Sequence, residues 1–214
     1  MATACVCDPV LAEIIFLLQQ TYNTPTIILY GSRARGNQTE SSDYDLACFG
    51  KNSNTVRHAE IRNGAYIDAF VYPQEKLENP DKSLLHIRQG VVITQESTLG
   101  DKCLEKIDFI YRQGPEPLPQ CEIEVKRVWI DKMLDRITTL DIEGQYRRVW
   151  LLFAMLEIYF ALRNLWYLGP KESFAWLKEN DRNVYQAFES ALAQDHDLER
   201  IKSLAVLVKE NQRN

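Results

Sequence analysis

Gly114-Pro115-Glu116-Pro117-Leu118-Pro119 places three prolines within five residues. Proline fixes φ, removes a backbone donor and disfavours helix at the residue before it, so neither a helix nor an inner strand runs through such a segment. The chain has to change element here, and its hydrophobic pattern changes with it. Upstream, short β-rich apolar runs alternate with turns. Downstream, two long helical patterns cover 120–140 and 142–168, Gly169-Pro170 stops the second, and shorter ones follow near 171–179, 181–194 and 196–210. The expected class is α+β: residues 1–113 form a small mixed β-sheet with flanking helices, and residues 114–214 form an all-α helical bundle.

In the first part Asp8 reads as a helix N-cap with Pro9 at the first helical position, and Leu11, Ile14, Ile15 and Leu18 recur at helical spacing. A helix over 8–21 is therefore expected, ending at Asn23-Thr24-Pro25. Thr26 to Tyr30 reads as a strand, 32–36 as a helical turn and Tyr44 to Phe49 as a second strand. Asn63-Gly64 is a strong hairpin signal between 55–62 and 65–72. Helical periodicity is expected over Lys82 to Gln89 and Leu99 to Arg112, with Val91 to Ile93 as a last strand or a loop.

With 214 residues, 45% of them hydrophobic and 26% charged, the chain has the composition of an ordinary globular protein. A net charge of −5 weighs against tracking along nucleic acid, which draws its affinity from neutralising phosphates. Five cysteines at 5, 7, 48, 103 and 121 show no CxxC or His/Cys cluster and read as free thiols of a reducing compartment. His58, His86 and His196 show no ligand spacing. No cationic leader and no membrane-length apolar run is visible, so a cytoplasmic protein without a membrane partner is expected.

The chemistry-bearing residues cluster in Gly31-Ser32-Arg33-Ala34-Arg35-Gly36 and Ser42-Asp43-Tyr44-Asp45-Leu46. With Tyr44 in a strand, the period of two puts Asp43 and Asp45 on one face. Alone, a Gly-Ser after a strand is only a turn, and Asp-x-Asp only a solvated strand start. Asp68, in the apolar run Tyr66-Ile67-Asp68-Ala69-Phe70, is different: a carboxylate among apolar neighbours needs a metal, a cation or water. Hard carboxylate oxygens beside a turn rich in backbone donors suit a Mg²⁺-triphosphate. Glu60, on the first hairpin arm, is a further candidate base facing the same cleft.

Together these elements resemble the signature of the DNA polymerase β-type nucleotidyltransferase superfamily: an apolar strand, Gly-Ser, a spacer, Asp-x-Asp, then a third acid on a later strand. The resemblance implies that Asp43, Asp45 and Asp68 are catalytic and hold one or two Mg²⁺ ions. It implies that Gly31, Ser32, Arg33 and Arg35 bind the phosphates of ATP or another NTP, and that Asp68 is a candidate general base. The product pair is an NMP-modified acceptor and pyrophosphate.

In layout the chain is similar to aminoglycoside nucleotidyltransferases, whose helical domain closes over the catalytic one. Ala161 to Tyr167, Gly169 to Ser173 and Trp176 carry that second, looser resemblance, which implies a small-molecule acceptor and a lining of Trp150, Trp166, Tyr167 and Trp176. Glu157, in an otherwise apolar helix, is expected to pair with a neighbour such as Arg163 or to meet substrate. The alternative is a minimal nucleotidyltransferase of antitoxin type that modifies a protein partner. RNA end-extension and a catalytically silent scaffold are weaker readings, and relatives that build the site across two chains leave a homodimer open.

Overall fold

The computed structural model describes residues 8–139, 141–193 and 197–210. Cys5, Cys7, His196 and the terminal Asn211 to Asn214 lie outside the described residues. The chain divides into two compact units, Met1–Gln113 and Gly114–Asn214.

The first unit opens with helix α1 (Pro9–Tyr22). Asp8 caps it by accepting from the backbone N–H groups of Val10 and Leu11 at 3.0 and 3.1 Å, and Asn23 closes it in the left-handed region at φ 51°. Strands β1 (Thr26–Tyr30), β2 (Tyr44–Gly50), β3 (Val56–Arg62), β4 (Ala65–Pro73) and β5 (Val91–Thr94) form one sheet in the order β3-β4-β2-β1-β5. β2 and β4 run parallel and every other pairing is antiparallel. Asn63 and Gly64 both take positive φ, 52° and 79°, which the tight right-twisted hairpin between β3 and β4 requires.

Alternation along the strands sorts the two faces. Leu29, Leu46, Cys48, Ile67, Ala69 and Val71 pack with Leu11, Ile14 and Leu18 of α1 in one buried cluster. Residues of opposite parity, Tyr30, Asp45 and Asp68 among them, point to the other face. Short helix α2 (Gly31–Arg35) follows β1 directly. After β4 come α3 (Gln74–Glu78), which periodicity does not announce, a 3₁₀ helix over Lys82–Ile87, and α4 (Leu99–Gln113). The 82–89 pattern becomes 3₁₀ because only six residues separate the Asp81 cap from extended backbone at Arg88, which leaves room for little beyond tight turns. Val91–Thr94 resolves as an edge strand on β1.

The second unit contains α5 (Gln120–Arg136), α6 (Ile142–Leu162), α7 (Pro170–Asn180), α8 (Arg182–Ala191) and α9 (Leu198–Lys209). α6 ends at Leu162 and not at 168, with Asn164 in the left-handed region at φ 54°. Leu165 and Tyr167, which prolong the helical pattern in sequence, instead pack from irregular backbone onto the unit's core. Arg163 does not pair with Glu157, which is exposed. Its guanidinium donates to the carbonyls of Leu207, Val208 and Glu210 at 2.9, 3.1 and 2.7 Å. Carbonyls at the end of α9 lack helical partners, and this arginine satisfies them. Among the described residues no helix is long and apolar enough to cross a membrane.

Candidate active site

Asp45 on β2 and Asp68 on β4 are register partners of adjacent parallel strands. Partners in register point to the same side of a sheet, and neighbouring strands lie about 4.8 Å apart, within reach of one small cation. Tyr30, the partner of Asp45 on β1, extends the row to Tyr30, Asp45, Asp68 and Ala59 across four strands. Immediately after Tyr30 the backbone turns at Gly31 with φ 73°. A Cβ at Gly31 would collide with the Asp45 carboxylate, so only glycine lets that acid lie against the turn. Ser32, next in α2, is 8% exposed.

Asp43 lies one residue before β2 and is exposed. Its backbone carbonyl accepts from Arg33 Nε at 3.1 Å, and that of Ser42 accepts from Arg33 Nη2 at 2.8 Å. The Arg33 guanidinium also stacks 3.7 Å over the ring of Tyr44. Arg33 thus ties the 39–43 loop to the start of β2, while Arg35 is half-buried at the end of α2. The structure therefore brings Asp45, Asp68 and Gly31 together and sets Asp43 on the neighbouring loop.

Three neighbours of the acids, Arg57, Tyr30 and Tyr72, carry no sequence motif. Arg57 on β3 donates to both oxygens of Asp68, Nε to Oδ1 and Nη2 to Oδ2, each at 2.8 Å. Tyr30 is held protonated, its phenol pushed up by burial and then by the charge of Asp45, with Tyr72 and Asp68 adding to it. Burial and Asp68 likewise push the Tyr72 phenol up to about 12. Both phenols therefore remain donors beside the carboxylates at neutral pH. Hairpin register reveals Arg57 in advance: a two-residue turn at Asn63-Gly64 pairs Ala59 with Asp68, and Arg57 lies two residues away on the same face. Glu60 is a correction. It pairs with Ile67, one step off the register of Asp68, so it lies on the opposite face, bonded to Arg62 at 2.7 Å.

Two carboxylates side by side, against a turn only glycine allows, form a donor set of hard oxygens that fits Mg²⁺. Among the described residues no group of three His, Cys, Asp or Glu side chains is arranged to hold a metal ion. Both oxygens of Asp68 are bound to Arg57, and Asp43 sits outside the strand.

In the helical unit the aromatics expected to line an acceptor cavity are largely structural. Trp176 packs edge-on to Phe160 at 5.4 Å between ring centres, Tyr167 lies against Phe160 at 6.3 Å, and Trp150 meets Trp129 at 5.5 Å. A cavity of about 200 Å³ there is lined by apolar groups that include Val149, Phe153, Phe174 and Leu192.

Residues 12–66 match the family described as Polymerase beta, Nucleotidyltransferase. The match takes in Gly31, Ser32, Asp43 and Asp45 and ends two residues before Asp68, whose place follows from strand register. No curated protein matches the sequence. Among solved structures, a nucleotidyltransferase-like protein from Exiguobacterium sibiricum 255-15 is similar, with 14% sequence identity and a TM-score of 0.41 over 92% of this chain and 71% of that one. At that score it is a resemblance only. The Gly31-Ser32 turn and both acids of Asp43-Tyr44-Asp45 fall within residues 12–66, the segment similar to the polymerase β-type nucleotidyltransferases.

Proposed function

We propose that the protein transfers a nucleoside monophosphate, AMP from ATP in the leading form, onto a hydroxyl of a small molecule such as an aminoglycoside-like acceptor. The observation that carries the reading is the register of Asp45 with Asp68 on one sheet face, with the Asp45 carboxylate seated on Gly31. In this reading Asp45 and Asp68, joined by Asp43 from its loop, hold one or two Mg²⁺ ions. Bound there, the metal neutralises triphosphate charge and stabilises the in-line transition state. Gly31, Ser32 and Arg35 face the β- and γ-phosphates, and Arg33 keeps the Asp43 loop in place. The acceptor oxygen attacks the α-phosphorus, the bond from that phosphorus to the α–β bridging oxygen breaks, and pyrophosphate leaves. Asp68 takes the acceptor proton.

The test is pyrophosphate release from Mg·ATP and the other NTPs against an aminoglycoside panel. Turnover that Asp45→Asn and Asp68→Asn abolish supports the reading, and no turnover with any donor and acceptor overturns it.

A second reading, transfer to a protein partner, is favoured by α6. Ile142, Tyr146, Val149, Trp150 and Phe153, spaced to share one helix face, are 87, 71, 58, 48 and 61% exposed. An apolar stripe of that extent suits a protein surface better than a polycationic sugar. An ATP-dependent mass increase on a co-purifying protein, without small-molecule turnover, selects this reading.

A further inference from the structure

Arg57 and Asp68 form an ion pair within the acid row, and its geometry conflicts with metal binding. Both Asp68 oxygens accept charge-assisted bonds of 2.8 Å from the same guanidinium, the two-pronged arrangement that arginine makes best. A divalent ion shared by Asp45 and Asp68 requires at least one of those oxygens. The two cations therefore compete for a single carboxylate.

The surroundings say which cation moves. Asp68 sits in the middle of the sheet, 17% exposed, fixed by pairing on both sides. Arg57 stands on edge strand β3 with its side chain 56% exposed. Its guanidinium carbon also lies 5.4 Å from the centre of the Phe70 ring, so an aromatic face remains to it when the carboxylate is taken. An ion pair this exposed contributes little to stability, so breaking it leaves the sheet intact.

We propose that Arg57 sets the divalent-cation affinity of the site, holding Asp68 in the absence of metal and being displaced from it when metal binds. The inference rests on the transferase reading above, since it assumes that Asp45 and Asp68 are metal ligands. Arg57 is then a positioning residue for Asp68: it keeps the carboxylate oriented toward the row and covered, and it raises the metal concentration at which the site fills.

The experiment is direct binding of Mn²⁺ to the full chain, followed by electron paramagnetic resonance, with no nucleotide and no turnover. Arg57→Gln removes the competing charge and is expected to bind Mn²⁺ about two- to fivefold more tightly than wild type, the magnitude of a partly exposed ion pair. Arg57→Lys, which keeps the charge but loses the fork, is expected between them. Adding Asp68→Asn to Arg57→Gln is expected to cancel the gain. Thermal unfolding of each variant without metal establishes that it is folded. Mn²⁺ binding that Asp45→Asn weakens but Arg57→Gln leaves unchanged or weaker overturns the role of Arg57 alone. Absence of Mn²⁺ binding in wild type and in every variant overturns the metal reading of the acids together with it.

Discussion

Asp45 and Asp68 stand side by side on parallel strands β2 and β4, with β3 and its hairpin between them in the chain. Two like charges in register repel, and the Arg57 guanidinium offsets that repulsion from the Asp68 side. Such a pair on a sheet face destabilises by roughly 0.2–1 kcal/mol relative to a neutral one. Asp45→Asn is therefore expected to change stability by no more than about 1 kcal/mol. The same substitution is expected to lower transfer activity by about 10²–10³-fold, the effect of removing one group aimed at transition-state charge. Denaturant unfolding and pyrophosphate release check the two halves, and a small change in the first beside a large loss in the second marks an acid kept for function.

Gly31 and Gly36 separate backbone strain from contact. Their φ values are nearly equal, 73° and 72°, but a Cβ meets the Asp45 carboxylate at Gly31 and nothing within 4 Å at Gly36. Gly36→Ala is expected to cost about 1 kcal/mol, the left-handed backbone alone. Gly31→Ala adds displacement of Asp45 and is expected to cost about 2–3 kcal/mol. Thermal unfolding measures both, and activity is expected to fall sharply only in Gly31→Ala.

What could be read from the sequence follows the range of the forces involved. The Asp8 cap, the Asn63-Gly64 hairpin and the alternation of Ile67, Ala69 and Val71 are local, and they appear in the structure as the residues imply. The pairing of Asp45 with Asp68 is not local, because nothing near either residue states that β4 lies parallel beside β2. The end of α6 departs from the sequence pattern for a related reason. Leu165, Trp166 and Tyr167 continue the apolar period, but the Arg163 guanidinium turns aside to the end of α9 and the backbone leaves the helix. Arg57 was within reach of hairpin register, and Glu60 was misassigned by the same one-residue step that register decides.

His86 makes the first unit sensitive to acid. Its Nδ1 lies 3.0 Å from the carbonyl oxygen of Ser83, which can only accept, so Nδ1 carries the proton. Nε2 then accepts from the Tyr72 hydroxyl at 3.3 Å. The residue as a whole is exposed, but its ring is closed in by Tyr30 and Phe70, and burial lowers its pKa against a weaker opposing effect from Ser83. A folded pKa below the unfolded value near 6.5 gives stability that is full above that value and declines as pH falls through the folded pKa. Stability is therefore expected to drop on acidification below about pH 6.5, and His86→Gln is expected to flatten that part of the curve. Denaturant midpoints between pH 7.5 and 5 measure it, and parallel curves for the two proteins contradict it.

In the helical unit Tyr159 links three helices through one acid. Its hydroxyl donates to Asp181 Oδ2 at 2.7 Å, and the other oxygen of Asp181 caps α8 by accepting from the Val184 N–H at 3.2 Å. Tyr159 is 1% exposed, and its ring also carries the Arg163 guanidinium at 3.8 Å. Tyr159→Phe keeps the ring and its stacking and removes only the hydroxyl, leaving one carboxylate oxygen without its donor. Hydrogen bonds to charged groups contribute about 1.5–3 kcal/mol, so a loss of about 2 kcal/mol is expected. Asp181→Asn keeps one oxygen to accept from the Val184 N–H and offers an amide N–H that the Tyr159 hydroxyl oxygen can accept, so it is expected to lose less. If the acid acts through these two bonds, combining the substitutions costs less than their sum, because both remove the same interaction. Denaturant unfolding of the single and double variants decides it.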